Sequence, residues 1–209
     1  IRKGILRKRE YKLIFGNKNT EVIHKEYGYL IKLNPQKIYF SPRELTERQR
    51  IAKQVKPKEK VLVMFSGAAP FIVAIKKNEP SAILTGIELN KLAHNYAKEN
   101  IKLNKLKDVI LYQGDVRKII PKIKDKFDRI LMPLPRDSYK FLSLAFKVIK
   151  KNGIIHYYSF DAKSEFKKIK DYIKEQANKS HKTIRILRLK KVLPYGPKIY
   201  KIVLDIKCN

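Results

Sequence analysis

The sequence predicts an α/β fold: a seven-stranded, mostly parallel, doubly wound sheet with a small β-rich module before it. The main observation is that apolar strands alternate with helical segments from residue 61 onward, as in a parallel sheet whose two faces are covered by helices. A second observation is a pair of strands at the end of the chain. The turn that joins them contains Pro194 and Pro197, and the pair would add an antiparallel hairpin to one edge of the sheet.

The first 40 residues indicate a module of short strands. Turn-forming residues at 17–19 and 26–28 separate apolar segments, and Asn34-Pro35 breaks the chain before the last of them. The predicted strands lie at residues 11–15, 21–24, 29–33 and 37–40. We therefore divide the chain into a β-rich module over residues 1–40 and a main domain over residues 41–209.

A helix is predicted to open the main domain. Ser41 is placed to cap it, Pro42 suits the first helical position, and Glu44 completes a Ser-x-x-Glu capping box. The helix is expected to run to about residue 54, because the Lys-Pro-Lys of residues 56–58 ends it.

The remaining elements follow from hydrophobic pattern and turn residues. The helix at 91–103 carries an apolar face, and the helix at 138–149 is expected to end in the Asn152-Gly153 turn. Strands are predicted at residues 61–65, 82–88, 109–112, 129–132, 154–158, 183–189 and 199–206. Helices are predicted at residues 68–77, 91–103, 138–149 and 165–177.

Charge is the most unusual property of the composition. The chain has 49 Lys and Arg against 19 Asp and Glu, a net charge of +30. A polyanionic partner such as a nucleic acid explains this excess, since basic side chains neutralise phosphates and release counterions. The alternative is a lysine-rich proteome, which would make many protein surfaces basic whatever their partners. The composition does not distinguish DNA from RNA.

Several classes of protein are disfavoured. The single cysteine, Cys208, excludes an intramolecular disulfide and a cysteine-based zinc cluster. No apolar run approaches the roughly 20 residues of a membrane span, and the first residues do not form the apolar region of a signal peptide. The histidines lack metal-ligand spacing, so no metal is expected: His24, His94, His156 and His181. We expect a soluble cytoplasmic protein.

Three candidate ligand-binding residues follow three successive strands of the main domain. Gly67 lies in a turn where backbone N–H groups could approach a ligand, although an ordinary strand-to-helix turn is the alternative. Glu88 lies about 20 residues after that turn, where a carboxylate can accept hydrogen bonds from the ribose hydroxyls of an adenosine ligand. The alternative is that its charge only interacts favourably with the dipole at the start of the next helix. Asp115 could contact an adenine amino group or only cap the next helix. Together these positions predict a cleft for an adenosine-containing ligand.

A fourth strand ends in a corner of unusual chemistry. Residues 128–132 run directly into Pro133-Leu134-Pro135. Proline lacks an N–H and fixes φ, so two prolines around one residue make a rigid corner. In open α/β sheets, ligands bind at this carboxyl end of the strands.

With these motifs in view, the chain from about residue 5 to 209 resembles the archaeal and eukaryotic tRNA (guanine-37-N1)-methyltransferase family and its wyosine-pathway relatives. The Glu-Asn-Ile-x-Leu-Asn-Lys segment is the most specific of the matching motifs. The matches lie at residues 39–43, 46–48, 64–67, 88–90, 99–105, 114–117 and 128–135. The resemblance implies the Rossmann-like fold of class I S-adenosylmethionine-dependent methyltransferases.

The resemblance also implies roles for particular residues. A first group would bind the cofactor S-adenosylmethionine: Phe65, Ser66, Gly67, Glu88, Leu89, Asp115 and Val116. A second group would close the pocket from the other side: Phe40, Ser41 and Arg48. Pro133, Leu134 and Pro135 would contact the cofactor and hold the target base near the methyl group, and Pro133 is also counted with the catalytic residues.

The remaining implied roles concern the base. Glu47 matches the carboxylate proposed as general base, and Arg7 matches an arginine aimed at the base oxygen. Arg9 is the alternative to Arg7 because the register there is uncertain, and Tyr39 would stack on the base. Simpler interpretations exist: Glu47 and Arg48 as exposed helix charges, and the two arginines as phosphate contacts. The β-rich module would position the RNA and its base.

Three residues depart from the family pattern: Val63, Ala69 and Pro133. Guanine-N1 enzymes of this family typically carry Asn at the position of Pro133. The Pro-Leu-Pro branch resembles enzymes that methylate carbon 7 of 4-demethylwyosine, sometimes as well as guanine N1. We therefore expect an S-adenosylmethionine-dependent tRNA methyltransferase acting on position 37, 3′ of the anticodon of tRNA-Phe, in wyosine biosynthesis. The alternatives are an aminocarboxypropyl transferase of the same pathway and a non-catalytic RNA-binding module.

The expected partner is tRNA. The family's extra N-terminal domain, which recognises the tRNA elbow, has no counterpart in the 209 residues, so affinity would depend on the basic surface. Candidate basic segments lie at residues 147–151, 163–174 and 185–191.

Overall fold

The fold is described by a computed structural model that covers residues 2–3, 8–9, 14–16 and 18–209, with the backbone alone for 2–3 and 8–9. A two-stranded sheet pairs β1 with β2, and a hairpin pairs β3 with β4. These four strands are Arg2–Lys3, Lys8–Arg9, Val22–Glu26 and Tyr29–Leu33. The hairpin predicted around residues 26–28 is confirmed.

The main domain alternates strands and helices as predicted. A 3₁₀ turn, Pro42–Glu44, leads into its first helix. The strands β5 to β11 are Lys60–Met64, Ile83–Glu88, Val109–Gln113, Phe127–Met132, Ile149–Ala162, Ile184–Gly196 and Ile199–Cys208. The helices α1 to α6 are Leu45–Ala52, Pro70–Asn78, Lys91–Leu103, Val116–Ile119, Leu142–Val148 and Phe166–Lys179.

Seven strands form one sheet in the order β10-β11-β9-β8-β5-β6-β7. The five strands from β9 to β7 in that order pair in parallel, whereas β11 and β10 are antiparallel to their neighbours. The predicted seven-stranded, mostly parallel sheet with a closing hairpin is confirmed. Because successive side chains of a strand point to opposite faces, Val61 and Val63 enter one core while Leu62 and Met64 enter the other.

The β3–β4 hairpin shares the core of the main domain. Tyr29, Ile31 and Leu33 are buried in the same cluster as Val61 and α2. The side chain of Asn100 on α3 donates to the carbonyl of Lys32 at 3.0 Å and accepts its N–H at 2.6 Å. The hairpin is therefore held to α3 by hydrogen bonds from the Asn100 side chain to the main chain of β4, as well as by apolar packing.

Three local predictions are wrong. Residues 37–40 form no strand, because the carbonyl of Asn34 accepts the N–H groups of Lys37 and Ile38 in a turn. Ser41 makes no capping hydrogen bond with its side chain. Asn152 does not end a helix: α5 stops at Val148, and Asn152 adopts a left-handed φ of 61° within β9.

No helix in the described part of the chain is long and apolar enough to span a membrane. Among the same residues, no three or more His, Cys, Asp or Glu side chains come together in an arrangement that could hold a metal ion.

Candidate active site

A cavity of about 890 Å³ lies at the carboxyl ends of β5, β6, β7 and β8. Its volume falls within the roughly 300–1,000 Å³ typical of small-molecule sites. Ten of the residues predicted from sequence line it: Tyr39, Ser41, Phe65, Gly67, Glu88, Leu89, Asp115, Val116, Pro133 and Leu134. The topology thus brings the ends of four strands to one ligand-sized space.

The turn after β5 exposes main chain to this cavity. Phe65, Gly67 and Ala69 all adopt left-handed φ angles, of 59°, 58° and 65°. The N–H of Ser66 donates to the carbonyl of Ile87 at 2.9 Å, which fixes the turn against β6. Gly67 lines the cavity without a side chain, whereas Ser66 is buried and does not line it. Such a constrained turn offers backbone groups to a ligand.

Glu88 ends β6 with its carboxylate at the cavity. One oxygen accepts the N–H of Gly67 at 2.8 Å and the other accepts the N–H of Asn90 at 2.7 Å. Burial raises the pKa of Glu88 above its usual value, although these N–H groups act in the opposite direction. These bonds fix the orientation of the carboxylate at the cavity wall.

Asp115 follows β7 and caps α4. Its carboxylate accepts the N–H of Arg117 at 2.8 Å and pairs with the Arg117 guanidinium. That guanidinium holds the pKa of Asp115 below its ordinary value. The predicted capping role is confirmed, and Asp115 also lines the cavity.

The Pro-Leu-Pro corner is held by hydrogen bonds. The N–H of Leu134 donates to the carbonyl of Met132 at 2.8 Å, and the Ser138 hydroxyl donates to the carbonyl of Leu134 at 2.5 Å. Pro133 and Leu134 line the cavity. Pro135 instead lines a neighbouring groove of about 1,150 Å³ beside α6.

Two residues predicted to close the pocket, Arg48 and Phe40, lie behind the cavity wall. Arg48 is buried in an ion pair with Glu26, and it also donates to the carbonyl of Ser41 at 3.2 Å. Its guanidinium lies 5.2 Å from the centre of the Phe40 ring. Neither Arg48 nor Phe40 lines the cavity. Arg48 therefore supports Ser41, which does line the cavity.

Glu47 is also buried and lies outside the cavity wall. The guanidinium of Arg50 donates to both of its oxygens at 2.8 Å, and the hydroxyl of Tyr158 donates to one of them at 2.8 Å. The alternative that Glu47 and Arg48 are exposed helix charges is therefore wrong. Their exposed fractions are 2% and 1%.

Two further predicted residues have no described side-chain position. Arg7 lies outside the described residues, and Arg9 is described only as a backbone position in β2. Their roles toward the base stay predictions.

The cavity also has lining residues that the sequence did not single out for the site. The basic ones are Arg43, Arg117, Arg136, Lys140 and Lys201, and the aromatic ones are Phe141, Phe160 and Tyr195. Arg136 and Lys140 directly follow the corner, so their position after a strand end was an available signal. Lys201 and Tyr195 belong to the closing hairpin. This hairpin extends to the cavity because β10 and β11 are long strands.

Comparison with known proteins gives the family. A family model described as the TRM5/TYW2 methyltransferase domain matches residues 22–187. The chain belongs to the TRM5/TYW2 family. A match of this extent covers the β3–β4 hairpin, most of the residues that line the cavity and the five parallel strands of the main sheet.

Similar TRM5/TYW2 proteins are named for different activities. The tRNA (guanine(37)-N(1))-methyltransferase Trm5b of Pyrococcus abyssi is 37% identical over 99% of this chain and 61% of its own length. A tRNA(Phe) (4-demethylwyosine(37)-C(7)) aminocarboxypropyltransferase of Methanocaldococcus jannaschii is 35% identical over 98% of this chain and 81% of its own. The tRNA 4-demethylwyosine(37)-methyltransferase Taw21 of Saccharolobus solfataricus is 34% identical over 99% of this chain and 76% of its own.

Solved TRM5/TYW2 structures share the fold. The Trm5b crystal structure from P. abyssi superposes with a TM-score of 0.89, and this chain covers 61% of it. The crystal structure of M. jannaschii TYW2 in complex with AdoMet superposes with a TM-score of 0.86 at 34% identity, covering 95% of this chain and 90% of that one. The chain thus spans about three-fifths of the length of Trm5b.

S-adenosylmethionine is the cofactor of this TRM5/TYW2 domain, and the cavity fits it. The fit is seen in the Glu88 carboxylate, which is oriented at the end of β6, and in the open main chain at Gly67. Leu89 and Val116 add apolar wall on either side. An adenosine moiety needs acceptors for its ribose hydroxyls and apolar surface for its base, and these residues provide both.

Proposed function

We propose that this protein is a tRNA methyltransferase that acts on the base at position 37 of tRNA-Phe, methylating carbon 7 of 4-demethylwyosine, with guanine N1 as a second acceptor. The observation that carries the proposal is Pro133 on the cavity wall. Its side chain has no hydrogen-bonding group, whereas an amide at this place would suit the polar edge of guanine. In 4-demethylwyosine a third ring is fused over that edge, and this ring needs apolar contact instead of a hydrogen bond.

The cofactor would be held by the residues at the strand ends. Glu88 would accept hydrogen bonds from the ribose hydroxyls, while Gly67 and the N-terminus of α4 behind Asp115 offer main-chain contacts. When bound, S-adenosylmethionine supplies an electrophilic methyl carbon. The protein's task is then to align the acceptor atom of the base with that carbon.

The base would lie between the Pro133–Leu134 corner and Tyr39. The corner is kept in place by the Ser138 hydroxyl, so the apolar surface that it presents is fixed before the RNA binds. Tyr39 lines the same cavity, and its ring offers a surface for stacking. A position-37 base reaches such a cavity only when it leaves its stack, which is the usual route for enzymes that modify bases.

A nucleic acid is the class of partner that the charge supports, and the tRNA-modifying relatives favour RNA. The net charge of +30 favours a polyanion, and Arg136 and Lys140 place positive charge at the mouth of the cavity. Relatives named as tRNA-modifying enzymes support the same class of partner.

A second candidate function is aminocarboxypropyl transfer to the same base. It is favoured by the 35% identity to the M. jannaschii aminocarboxypropyltransferase, since the chain covers 81% of that protein. The two activities use the same cofactor and differ in which carbon attached to sulfur is transferred.

The experiment uses two forms of S-adenosylmethionine, labelled either on the methyl group or on the carboxyl carbon. Each is incubated with tRNA-Phe that carries guanosine or 4-demethylwyosine at position 37. Methyl label in the 4-demethylwyosine tRNA alone, or in both tRNAs, would support the proposal. Methyl label in the guanosine tRNA alone would make the interpretation of Pro133 wrong. Carboxyl label in either tRNA would identify the second candidate function, and no label from either form would leave a non-catalytic RNA-binding module.

A further inference from the structure

An aromatic pair lies where the cavity meets the groove beside α6. The rings of Phe160 and Tyr195 stack with their centres 3.9 Å apart and an angle of 27° between their planes. Phe160 lines both the cavity and the groove, and Tyr195 lines the cavity. Phe160 covers one face of the Tyr195 ring, yet Tyr195 is 52% exposed. The opposite face of the Tyr195 ring is therefore open to solvent.

A bulge in the edge strand β10 sets the position of Tyr195. The residues before and after Tyr195 pair with two consecutive residues of β11, Tyr200 and Ile199, so Tyr195 is an extra residue between two pairs. Such a bulge bends the strand and re-aims the side chain of its extra residue. Because β11 lies between β10 and β9 in the sheet, the side chain of Tyr195 reaches across β11 to meet Phe160.

A basic residue lies beside this aromatic pair. Arg136 follows the Pro-Leu-Pro corner, and its guanidinium donates to the Tyr195 hydroxyl at 3.4 Å. Like Phe160, Arg136 lines both the cavity and the groove. Proteins bind single-stranded RNA with this combination, because bases stack on exposed aromatic rings while basic side chains meet the phosphates.

The aromatic pair lies on the base side of the cavity and not on the cofactor side. Glu88 follows β6, which lies on one side of β8 in the sheet, whereas β9, β11 and β10 lie on the other. Tyr39, proposed to stack on the modified base, is tied to the second side, since its hydroxyl donates to Glu44 and Glu44 pairs with Lys201 of β11. The open face of the aromatic pair is therefore closer in the sheet to the proposed base site than to the proposed ribose site.

We propose that Tyr195, supported by Phe160, stacks on a base next to the modified base at position 37. This inference rests on the proposed function. When the modified base leaves its stack and enters the cavity, a neighbouring base loses its stacking partner, which costs free energy. That neighbour is joined to the modified nucleotide through a single phosphate, so it stays at the mouth of the cavity. Tyr195 replaces the lost partner there and favours the extruded state of the RNA.

The test uses tRNA-Phe that carries guanosine or 4-demethylwyosine at position 37 and 2-aminopurine, a fluorescent analogue of adenine, on one side or the other of that position. The fluorescence of 2-aminopurine falls when it stacks on an aromatic ring. With the wild type, one of the two probes should keep a low fluorescence when bound. The same probe should be at least about twofold brighter in its complex with Tyr195→Ala.

Affinity provides a second measurement. Tyr195→Ala should weaken tRNA binding by about 5- to 150-fold, the range for loss of one base–ring stack. Tyr195→Phe keeps the ring and should stay within about threefold of the wild type in affinity and fluorescence. Both variants should bind S-adenosylhomocysteine within about threefold of the wild type.

Tyr112→Ala is the matched control. Tyr112 is a partly exposed tyrosine of β7, the strand at the other edge of the sheet, and it lines neither the cavity nor the groove. Its replacement should leave tRNA affinity and probe fluorescence unchanged. Equal effects of Tyr112→Ala and Tyr195→Ala would contradict a specific stacking contact.

The remaining outcomes separate this inference from the proposed function. If the wild type transfers label but Tyr195→Ala matches it in tRNA affinity and probe fluorescence, the stacking contact is wrong and the proposed function stands. A loss of S-adenosylhomocysteine affinity in Tyr195→Ala would place the ring against the cofactor instead. If the wild type labels neither tRNA while the fluorescence still depends on Tyr195, the proposed function fails and the stacking contact stands as part of an RNA-binding module.

Discussion

The side-chain amide of Asn100 satisfies both main-chain hydrogen-bonding groups of Lys32. The N–H of Lys32 donates to Oδ1 at 2.6 Å, and Nδ2 donates to the carbonyl of Lys32 at 3.0 Å. The same Nδ2 donates to the carbonyl of Ala68 in the turn after β5, at 2.9 Å. One buried asparagine therefore joins the N-terminal hairpin, α3 and the turn that leads to the cavity.

Replacing Asn100 with alanine should lower the free energy of unfolding by about 2–3 kcal/mol, because buried N–H and C=O groups would lose their partners. Urea unfolding measures the change. Asn95→Ala is the matched control, since Asn95 is exposed on the same helix and its replacement should change stability by less than about 0.7 kcal/mol. Equal effects of the two substitutions would contradict the structural role of Asn100.

The sequence placed Asn100 in a family motif but did not predict the hydrogen bonds that its side chain makes. The segment at residues 99–105 was recognised through its family resemblance, yet no pattern of apolar residues indicates that a helix will hydrogen-bond to the edge of β4. Asn104 repeats the arrangement with Leu30, donating to its carbonyl at 2.7 Å. Such contacts join residues about 70 positions apart, and hydrophobic periodicity carries no information about them.

The sheet was predictable because its signals are local. Apolar strands, turn residues and the positions of Glu88, Asp115 and Pro133 after strand ends follow from the alternation itself. The orientation of α1 was not predictable, because sequence reasoning assumes that charged residues face solvent. In α1 the buried face is charged, and the strands beneath it supply charged and polar partners such as Asp205, Lys201 and Tyr158. For this reason Glu47, which the resemblance placed beside the base, lies outside the cavity wall, whereas Glu44, predicted only as part of a capping box, lines the cavity.

Glu88→Gln should weaken binding of S-adenosylhomocysteine by about 10- to 100-fold, because hydrogen bonds to a charged acceptor contribute about 1.5–3 kcal/mol. Burial raises the pKa of Glu88, so its carboxylate takes up a proton at a higher pH than an ordinary glutamate. Wild-type affinity should therefore fall as pH is lowered from 7.5 to 5.5, and the affinity of Glu88→Gln should change less. Isothermal titration calorimetry measures both effects.

The control for that experiment is Glu99→Gln. Glu99 is half-exposed, pairs with Lys32 and lies outside the cavity. Loss of one negative charge there should leave affinity and its pH dependence unchanged. Wild-type affinity in Glu88→Gln would show that Glu88 does not hold the ligand.

His156 is buried as a neutral imidazole. Arg129 donates to Nε2 at 2.7 Å, so that nitrogen is an acceptor and Nδ1 donates to Asp205 at 2.6 Å. Burial lowers the pKa of His156, and the nearby guanidinium groups of Arg129 and Arg50 act in the same direction, against Asp205. Asp205 remains ionised: burial raises its pKa, but its hydrogen bonds from His156 and Arg50 lower it further, to well below the usual value.

This arrangement predicts a loss of stability in mild acid. An unfolded histidine binds a proton near pH 6.5, whereas His156 in the folded protein binds one only at lower pH. Between these values the unfolded state holds more protons, so the free energy of unfolding falls as pH falls, by at most about 1.4 kcal/mol per pH unit for one group. The contribution of Asp205 is lost only near or below about pH 4, outside this window. Urea unfolding at pH 7.5 and 5 measures the effect.

The histidine responsible is identified by comparing variants. His156→Gln should reduce stability at both pH values and flatten its dependence on pH. His181→Gln should leave the pH dependence as in the wild type, because His181 is exposed. A pH dependence that persists unchanged in His156→Gln would assign the effect to another group.

Arg136 is an exposed basic residue at the mouth of the cavity, where it can bind a phosphate. Arg117 and Lys140 are paired with Asp115 and Asp137, whereas Arg136 is exposed and forms no ion pair with any residue that the structure describes. Its contact is with the Tyr195 hydroxyl, at 3.4 Å. A guanidinium without a carboxylate partner can release a counterion from RNA without first giving up an internal salt bridge.

Arg136→Gln should therefore weaken tRNA binding and reduce the slope of log K against log salt concentration by about 0.7–0.9, the value for one phosphate contact. Filter binding between 50 and 300 mM salt measures both quantities. Lys107→Gln removes one positive charge from an exposed position just before β7, at the opposite end of that strand from the cavity, and should leave the slope unchanged. If both substitutions reduce the slope equally, tRNA binding depends on the overall charge of the protein, and Arg136 makes no specific contact with a phosphate.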